Sequence, residues 1–195
     1  MAAGLKEQRR ERRVREILEA AMAVFEEKGY PRATMEEIAE RALLSRVALY
    51  RYFRDKEAIL KALIRWKTAE LTERFEAVPA GGYAETVRRL AEAGLRFRQE
   101  NQGFFRVLYT ATGLPGLLKD PEFRAQKRAL VGSVVRVIEA GQAAGEARPG
   151  DAVLFAEFFL SLIFSAIARD FFDEGAEIPS PETVAGVFLS GTLAV

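Results

Sequence analysis

The sequence predicts an all-α protein of about nine helices, in which three N-terminal helices precede a larger helical region. Apolar residues recur at three- and four-residue spacings along most of the 195 residues, as amphipathic helices require. Ser and Thr residues stand where helices would begin, and short segments rich in Gly and Pro separate the periodic stretches. Together these observations favour a set of helices joined by short turns.

The first helix is predicted from residue 7 or 12 to residue 28, where Gly29 ends it. Its buried stripe consists of Val14, Ile17, Leu18, Ala21 and Phe25. Basic residues crowd its beginning, with only Glu7 and Glu11 to balance them: Lys6, Arg9, Arg10, Arg12, Arg13 and Arg15.

Two short helices joined by a tight turn follow. Thr34 is expected to cap the second helix, with Glu37 as its capping-box partner, and Ser45 to cap the third. In the third helix Leu49 and Phe53, four residues apart, anchor to the core. The polar and aromatic residues around them cannot all point inward as well. A short helix that exposes Arg and Tyr side chains suits the DNA major groove, although an ordinary helical hairpin with a solvated face gives a similar pattern.

The remaining helices follow the breaks in the sequence. A fourth helix spans about 57–75, and the segment 79–82 is the clearest interruption of the chain. Later helices are predicted at about 84–100, 103–110, 122–144, 151–174 and 181 to the end, with loops at 112–121 and 145–150. We therefore expect a DNA-binding domain at 1–56, a linking helix at 57–76, and a ligand-binding and dimerisation domain at 77–195.

Residues 10–60 resemble the DNA-binding domain of the tetracycline-repressor (TetR) family of transcriptional regulators. The resemblance lies in AVFEEKGY (23–30), in ATMEEIAERA (33–42) and in the pattern S-x-x-x-L-Y-R-Y-F-x-x-K (45–56). It implies that Arg46 reads a base and that Val47 and Ala48 make apolar base contacts, while Arg51 reads a base or grips a phosphate. It further implies phosphate contacts by Thr34, Tyr50, Tyr52 and Lys56. Ser45 is also predicted to belong to the DNA-binding site.

Two positions depart from the family pattern. Leu43 stands in the turn where the family usually has Gly, and a left-handed backbone there would strain Leu by roughly 1 kcal/mol. The other departure is Val47, at a position where Gly is common in the family. A β-branched side chain facing the groove can contact a thymine methyl group but limits how closely the backbone approaches. The operator sequence therefore cannot be taken over from relatives.

The amino-acid composition limits the kinds of chemistry that the chain can perform. The chain has no Cys and no His, which removes disulfides, the usual zinc sites and the common nucleophile–histidine arrangements. We expect no catalytic residues, no metal and no cofactor. Residues 1–67 carry 16 Lys and Arg against 11 Asp and Glu, whereas residues 68–195 carry 13 against 17. A basic first third beside an acidic remainder fits a DNA reader joined to a domain that need not touch DNA.

No signal peptide or membrane span is expected. The N-terminal region is charged, and the longest apolar stretch, 152–168, contains Glu157 and is interpreted as a buried helix. We therefore expect a cytoplasmic protein without a membrane partner.

The eighth predicted helix is apolar almost all round, so its own domain or a partner must bury it. In the ninth helix Gly186, Ser190 and Ala194, spaced by four, allow another helix to approach closely. Two such helices from each of two chains would form a symmetric four-helix contact, the mode of dimerisation that the resemblance implies.

The C-terminal region is rich in aromatic residues. A tightly packed core explains this enrichment, but the resemblance favours a cavity for a small apolar or amphipathic effector. The predicted ligand-binding residues are Phe97, Phe104, Phe105, Leu108, Tyr109, Arg128, Phe155, Phe158, Phe159 and Leu162. The expected function is a transcriptional regulator, acting as a repressor, that binds a palindromic operator in double-stranded DNA as a homodimer. A soluble carrier of hydrophobic molecules is the alternative.

Overall fold

The computed structural model describes residues 2–111, 119–172 and 176–194, and the described chain is all-α, as predicted. These residues form nine helices: α1 (Ala2–Lys28), α2 (Met35–Arg41), α3 (Arg46–Tyr50), α4 (Lys56–Glu76), α5 (Tyr83–Glu100), α6 (Gln102–Thr110), α7 (Pro121–Ala143), α8 (Ala152–Phe172) and α9 (Pro181–Thr192). The predicted loop at 112–121 and the predicted end of the eighth helix at 174 lie mostly or wholly outside the described residues.

Helix α1 begins earlier than the sequence pattern indicated. Ion pairs between neighbouring turns occur in its first half: Arg10 Nη1 lies 3.9 Å from Glu7 Oε1, and Arg12 Nε and Arg13 Nη1 lie 3.1 and 2.8 Å from the carboxylate of Glu16. Pairs three and four residues apart stabilise a helix by a few tenths of a kcal/mol each, roughly 0.2–0.5. The apolar stripe that marks the core therefore underestimates the length of the helix.

The chain divides into two compact units, and α4 contributes to both. One unit comprises Met1–Trp66 and Gln102–Phe123, and the other comprises Lys67–Asn101 and Arg124–Val195. In the first unit the predicted stripe of α1 lines the core: Ile17, Leu18, Ala21 and Phe25 are buried, and Val14 is half-buried. Helix α6 packs against α1, close enough for the side chain of Glu26 to lie against Gly103.

The second unit is centred on the packing of α5 against α9. The Tyr83 hydroxyl donates a hydrogen bond to Thr192 Oγ1 at 3.0 Å, and the rings of Phe159 and Phe188 meet edge to face at 5.1 Å. An isolated antiparallel bridge between Ala147 and Leu193 ties the segment after α9 to the α7–α8 connection. The C-terminal end of α9 is therefore fixed within this unit.

Helix α8 is buried on one side only. Phe155, Phe159 and Ile163 face the core of the second unit, whereas Val153 and Phe158 are exposed. Within the described chain α8 is the one helix that is long and apolar enough, by length and composition, to cross a membrane. Less than half of that apolar window is buried in this unit, so most of it remains available to another surface.

Candidate nucleic-acid interface

Two N-caps define the helix-turn-helix. The Glu37 amide donates to Thr34 Oγ1 at 3.3 Å, and the Thr34 amide donates to Glu37 Oε2 at 3.1 Å, so the predicted capping box is confirmed. The Ala48 amide donates to Ser45 Oγ at 3.1 Å, which confirms the second cap. Both hydroxyl oxygens act as acceptors in these caps. Thr34 and Ser45 thus begin the two helices and remain accessible at the surface.

The turn between α2 and α3 is strained at Leu43. Its φ is 54°, which makes it the only residue other than Gly with a positive φ in the described chain. The turn is closed by the Leu43 amide, which donates to the Glu40 carbonyl at 3.0 Å, and by the Leu44 amide, which donates to the Ala39 carbonyl at 2.8 Å. The strain predicted for Leu43 is confirmed. Its side chain is 89% exposed, so packing within the described chain does not explain the choice of Leu.

Helix α3 has a buried side and an exposed side. Leu49 and Phe53 are buried, as predicted, and hold α3 against the core of its unit. On the opposite side Arg46, Val47 and Tyr50 are exposed, and Val47 keeps 68% of its surface accessible. Of four further predicted contact residues, Arg51 is exposed, whereas Ala48, Tyr52 and Lys56 are half-buried. This side of α3 therefore exposes one guanidinium, one valine and one tyrosine to solvent.

Arg46 is held in place by two neighbours. Its Nε lies 2.9 Å from Glu36 Oε1, and its guanidinium carbon lies 5.6 Å from the centre of the Tyr50 ring. The contact with Glu36 is made through Nε, and the guanidinium carries further N–H donors on its two terminal nitrogens. Sequence reasoning missed Glu36, because the contact crosses the turn and follows no helical spacing.

Lys56 has a structural role that differs from the implied phosphate contact. Its ammonium group donates to the carbonyl oxygens of Tyr30 at 2.7 Å, Pro31 at 3.0 Å and Ala33 at 2.8 Å. An ammonium group has three hydrogens, and these three bonds use all of them. Nζ also lies 4.7 Å from the centre of the Tyr30 ring, and burial lowers the pKa of Lys56. In the free protein this side chain therefore holds the α1–α2 loop against the start of α4.

The predicted ligand-binding residues fall into both units. In the first unit Phe104 and Phe105 are buried with their rings edge to face at 5.2 Å, and Leu108 and Tyr109 are half-buried. In the second unit Phe97, Phe155 and Phe159 are buried, Leu162 is half-buried, and Phe158 and Arg128 are exposed. Phe155, Phe158 and Leu162 are brought together along a groove between α8 and α9.

The second unit also contains a cavity of about 320 Å³ among the end of α4, the start of α5 and α7. None of the predicted ligand-binding residues lines it. Its wall includes Phe75, Tyr83 and Val137, together with an ion pair between Arg136 and Glu76 at 2.7 Å. The lining thus combines apolar surface with a few polar groups, as small-molecule sites do. No local signal in the sequence points to this cavity, because its lining residues come from two distant stretches of chain, 75–86 and 133–146.

The exposed sides of α8 and α9 form a continuous apolar surface. Two grooves of about 490 and 480 Å³ run along it, and Leu162 and Val187 line both. A side-chain carbon added at Gly186 would contact nothing within the chain. The small residue therefore has no packing role inside the described part of the protein.

A capped helix-turn-helix, a second helix anchored at Leu49 and Phe53, and an Arg-bearing exposed face define a DNA-binding transcriptional regulator. The comparisons agree. The family model for bacterial regulatory proteins of the tetR family matches residues 17–63. The HTH-type transcriptional regulator YhgD of Bacillus subtilis (strain 168) is 26% identical over 175 residues, covering 88% of this chain and 90% of YhgD.

Two further relatives cover different parts of the chain. The HTH-type transcriptional repressor AcnR of Corynebacterium efficiens is 34% identical over 111 residues, and the match spans 57% of this chain and only 54% of AcnR. The crystal structure of the TetR-family regulator PfmR from Thermus thermophilus superposes with a TM-score of 0.67 at 28% identity, covering 88% of this chain and 94% of PfmR. Residues 17–63 therefore match the tetR family of bacterial regulatory proteins, and the relatives that cover most of the chain are transcriptional regulators.

Proposed function

We propose that this protein represses transcription by binding a palindromic operator as a homodimer, and that a small, largely apolar effector releases it. It acts in the cytoplasm on double-stranded DNA and has no catalytic role. Repression is supported by the relative from Corynebacterium efficiens, which is a transcriptional repressor.

The observation that carries the proposal is the exposed face of α3. Val47 and Tyr50 leave apolar surface in water beside Arg46, although Leu49 and Phe53 already provide the core contacts of this segment. Exposed side chains of this kind add little to stability but suit contacts with the bases and the backbone of DNA. Arg46 is the proposed base reader, with Val47 and Ala48 against thymine methyl groups and Arg51 on a base or a phosphate. Thr34, Tyr50 and Tyr52 are proposed to position the protein on phosphates.

Dimerisation through α8 and α9 is the second part of the proposal. A single recognition helix gives little affinity, whereas two helices on a palindrome act together. Their centres need a separation of about 34 Å, one turn of the DNA helix. The apolar surface around Phe158 and Val187 is the proposed contact between the two protomers.

The effector is proposed to act through α4, which is shared by the two units. Binding in the second unit, at the cavity beside Arg136 or among the predicted aromatic residues, would shift α4 and change the spacing of the recognition helices. Effector and operator then weaken each other's binding by the same factor.

A selection from random duplex DNA with the purified protein tests the proposal. Recovery of a palindromic site is expected. Arg46→Ala is then expected to relax the base preference at one position of each half-site, with a loss of discrimination of about 1–3 kcal/mol. Recovery of no site from folded, dimeric protein would contradict the proposal and favour the carrier alternative, which predicts no binding to duplex DNA even at low salt.

The dimer contact has its own test. Phe158→Arg places a charge in the apolar surface and is expected to yield monomers in analytical ultracentrifugation, with loss of operator binding. Gln99→Arg, an exposed position on α5, adds the same charge and serves as the control. A dimer that survives Phe158→Arg with unchanged affinity would place the contact elsewhere.

The cavity is tested by filling it. Val137→Trp reduces the space beside Arg136, and the exposed Ala129→Trp on the same helix is the control. Compounds from a panel of apolar and amphipathic molecules that release the operator are expected to lose this effect with Val137→Trp only. Full release from both variants would locate the effector among the predicted aromatic residues instead.

A further inference from the structure

The cavity beside Arg136 has a buried floor and a charged rim, and all of its lining residues belong to the second unit. The lining residues that are buried form the floor: Phe75, Tyr83, Thr86, Ser133 and Gly141. The charged lining residues are exposed and form the rim: Glu76, Arg136 and Glu146. A ligand in this cavity would therefore place its apolar part on the floor and its polar part toward the solvent.

The floor offers apolar surface and no spare hydroxyl hydrogen. The Tyr83 hydroxyl donates to Thr192 Oγ1 at 3.0 Å. The hydroxyls of Thr86 and Ser133 donate to backbone carbonyl oxygens four and three residues earlier in the chain, at 3.1 and 2.7 Å. Because each hydroxyl group has one hydrogen, all three hydrogens are used within the chain. The floor is therefore suited to an apolar group, with Phe75 and Tyr83 as its aromatic surface.

The rim carries one negative charge that the chain does not balance. Arg136 Nη2 lies 2.7 Å from Glu76 Oε1, so these two charges form a pair. The Glu146 carboxylate accepts a hydrogen bond from the Tyr83 amide through Oε2, and within the part of the chain that the structure describes it makes no ion pair with Lys or Arg. An ionised carboxylate has about four acceptor positions, and the Tyr83 amide occupies one of them. Glu146 therefore keeps both its charge and further acceptor positions for a ligand.

This distribution of charge favours a cation over an anion. An anion at the rim would meet a guanidinium that is already paired with Glu76 and would be repelled by the carboxylate of Glu146. A cation is attracted to Glu146 and can donate a charge-assisted hydrogen bond to it. The volume of about 320 Å³ lies at the lower end of the range for small-molecule sites, roughly 300–1,000 Å³. The cavity therefore suits a small molecule with a compact apolar body.

We propose that this cavity binds a small amphipathic cation, whose apolar body lies on Phe75 and Tyr83 and whose ammonium group binds Glu146. This inference rests on the proposed function, because it names the chemical class of the effector at this cavity. Phe75 and Glu76 are the last two residues of α4. The bound cation thus contacts the helix that is proposed to carry the effect of the effector.

The test uses probes that share an apolar body and differ in the charge of the head group: 4-phenylbutylamine, which is cationic at about pH 7, 4-phenylbutanol and 4-phenylbutanoate. Affinities are measured by NMR titration at low salt, without DNA. Glu146→Gln removes the charge but keeps an oxygen that can accept the hydrogen bond from the Tyr83 amide. Glu139→Gln removes the same charge from an exposed position of α7 outside the lining and is the matched control.

The wild type is expected to bind the amine most tightly and the butanoate least. Glu146→Gln weakens binding of the amine about fivefold and leaves binding of the alcohol unchanged, whereas Glu139→Gln binds every probe like the wild type. Added KCl weakens binding of the amine to the wild type more than to Glu146→Gln. An amine that binds no more tightly than the alcohol, or that binds Glu146→Gln like the wild type, overturns the proposal. Tightest binding of the butanoate also overturns it and assigns the rim to an anion bound by Arg136.

Failure of this inference and failure of the proposed function give different results. If the amine binds through Glu146 but the wild-type protein selects no operator, the specific regulator is refuted and the cation site stands. If an operator is selected and effectors release it, but binding of the amine does not depend on Glu146, only the cation site is refuted.

Discussion

The strained turn between α2 and α3 predicts that Leu43→Gly stabilises the protein. A left-handed conformation costs a residue with a side chain about 1–2 kcal/mol, and Gly adopts it without this penalty. Against this gain, Gly gives the unfolded chain more conformational freedom, which offsets roughly 0.5–1 kcal/mol. Because the Leu43 side chain is 89% exposed, its removal forfeits almost no burial. The net stabilisation is therefore about 0.5–1 kcal/mol.

Leu43→Ala is the matched control, because it removes the same exposed side chain but keeps the backbone strain. Its stability is expected to stay within about 0.5 kcal/mol of the wild type, as for other surface substitutions. Leu43→Asn should fall between the two variants, since Asn tolerates the left-handed region better than Leu.

The assay is urea denaturation followed by circular dichroism, with stability taken from the transition midpoint at an unchanged slope. The expected order of stability is Leu43→Gly, then Leu43→Asn, then Leu43→Ala and the wild type together. A Gly variant less stable than the Ala variant would refute the reasoning, because it would show that the turn is not strained by the side chain.

Three further predictions concern single side chains. Lys56→Met leaves three carbonyl groups without their donor and should destabilise the protein by about 2–3 kcal/mol in urea denaturation; Lys56→Arg should also destabilise it, whereas a lysine used mainly on phosphate would tolerate Arg. Gly141→Ala places a carbon 2.6 Å from the Tyr83 ring and should lower stability by about 1–3 kcal/mol, while Gly132→Ala on the same helix meets nothing and should not; equal thermal midpoints would contradict this. The hydrogen bonds from Lys28 and the Thr34 amide lower the pKa of Glu37 below 4.5. The contribution of Glu37 to stability is therefore present above pH 4.5 and is lost as pH falls through the pKa of the folded state. Glu37→Gln should make the acid-induced loss of stability shallower, and an unchanged dependence of stability on pH at acid pH would argue against it.

The N-terminal helices could be predicted from the sequence because their signals are local. Thr34 with Glu37, and Ser45 alone, mark helix starts through contacts made within four residues. Leu49 and Phe53 follow from helical spacing in the same way. The strain at Leu43 is also predictable, because it depends on one residue that stands at a turn position where Gly is usual.

Contacts between distant segments could not be predicted. The ion pair of Arg46 with Glu36 and the three carbonyl groups around Lys56 depend on how the turns bring separate helices together. The cavity beside Arg136 has the same origin. The aromatic residues of the C-terminal region were predicted as one site, but aromatic content alone does not distinguish a core, as at Phe159, from an exposed surface, as at Phe158.

The strained turn and the lysine contact together suggest how a change in α4 reaches the recognition helix. Lys56 is the first residue of α4, and its ammonium group binds the carbonyls of the loop that leads into α2. A displacement of α4 therefore pulls on the start of α2 directly. The α2–α3 turn does not readily change its conformation in response, because Leu43 already has an unfavourable, left-handed backbone conformation and α3 is anchored by Leu49. Movement of α4 is thus expected to carry α2 and α3 together, and Lys56→Met should weaken effector-induced release more than operator binding itself. If the effector releases the Lys56→Met variant from the operator as fully as the wild type, the Lys56 contact does not transmit the movement of α4.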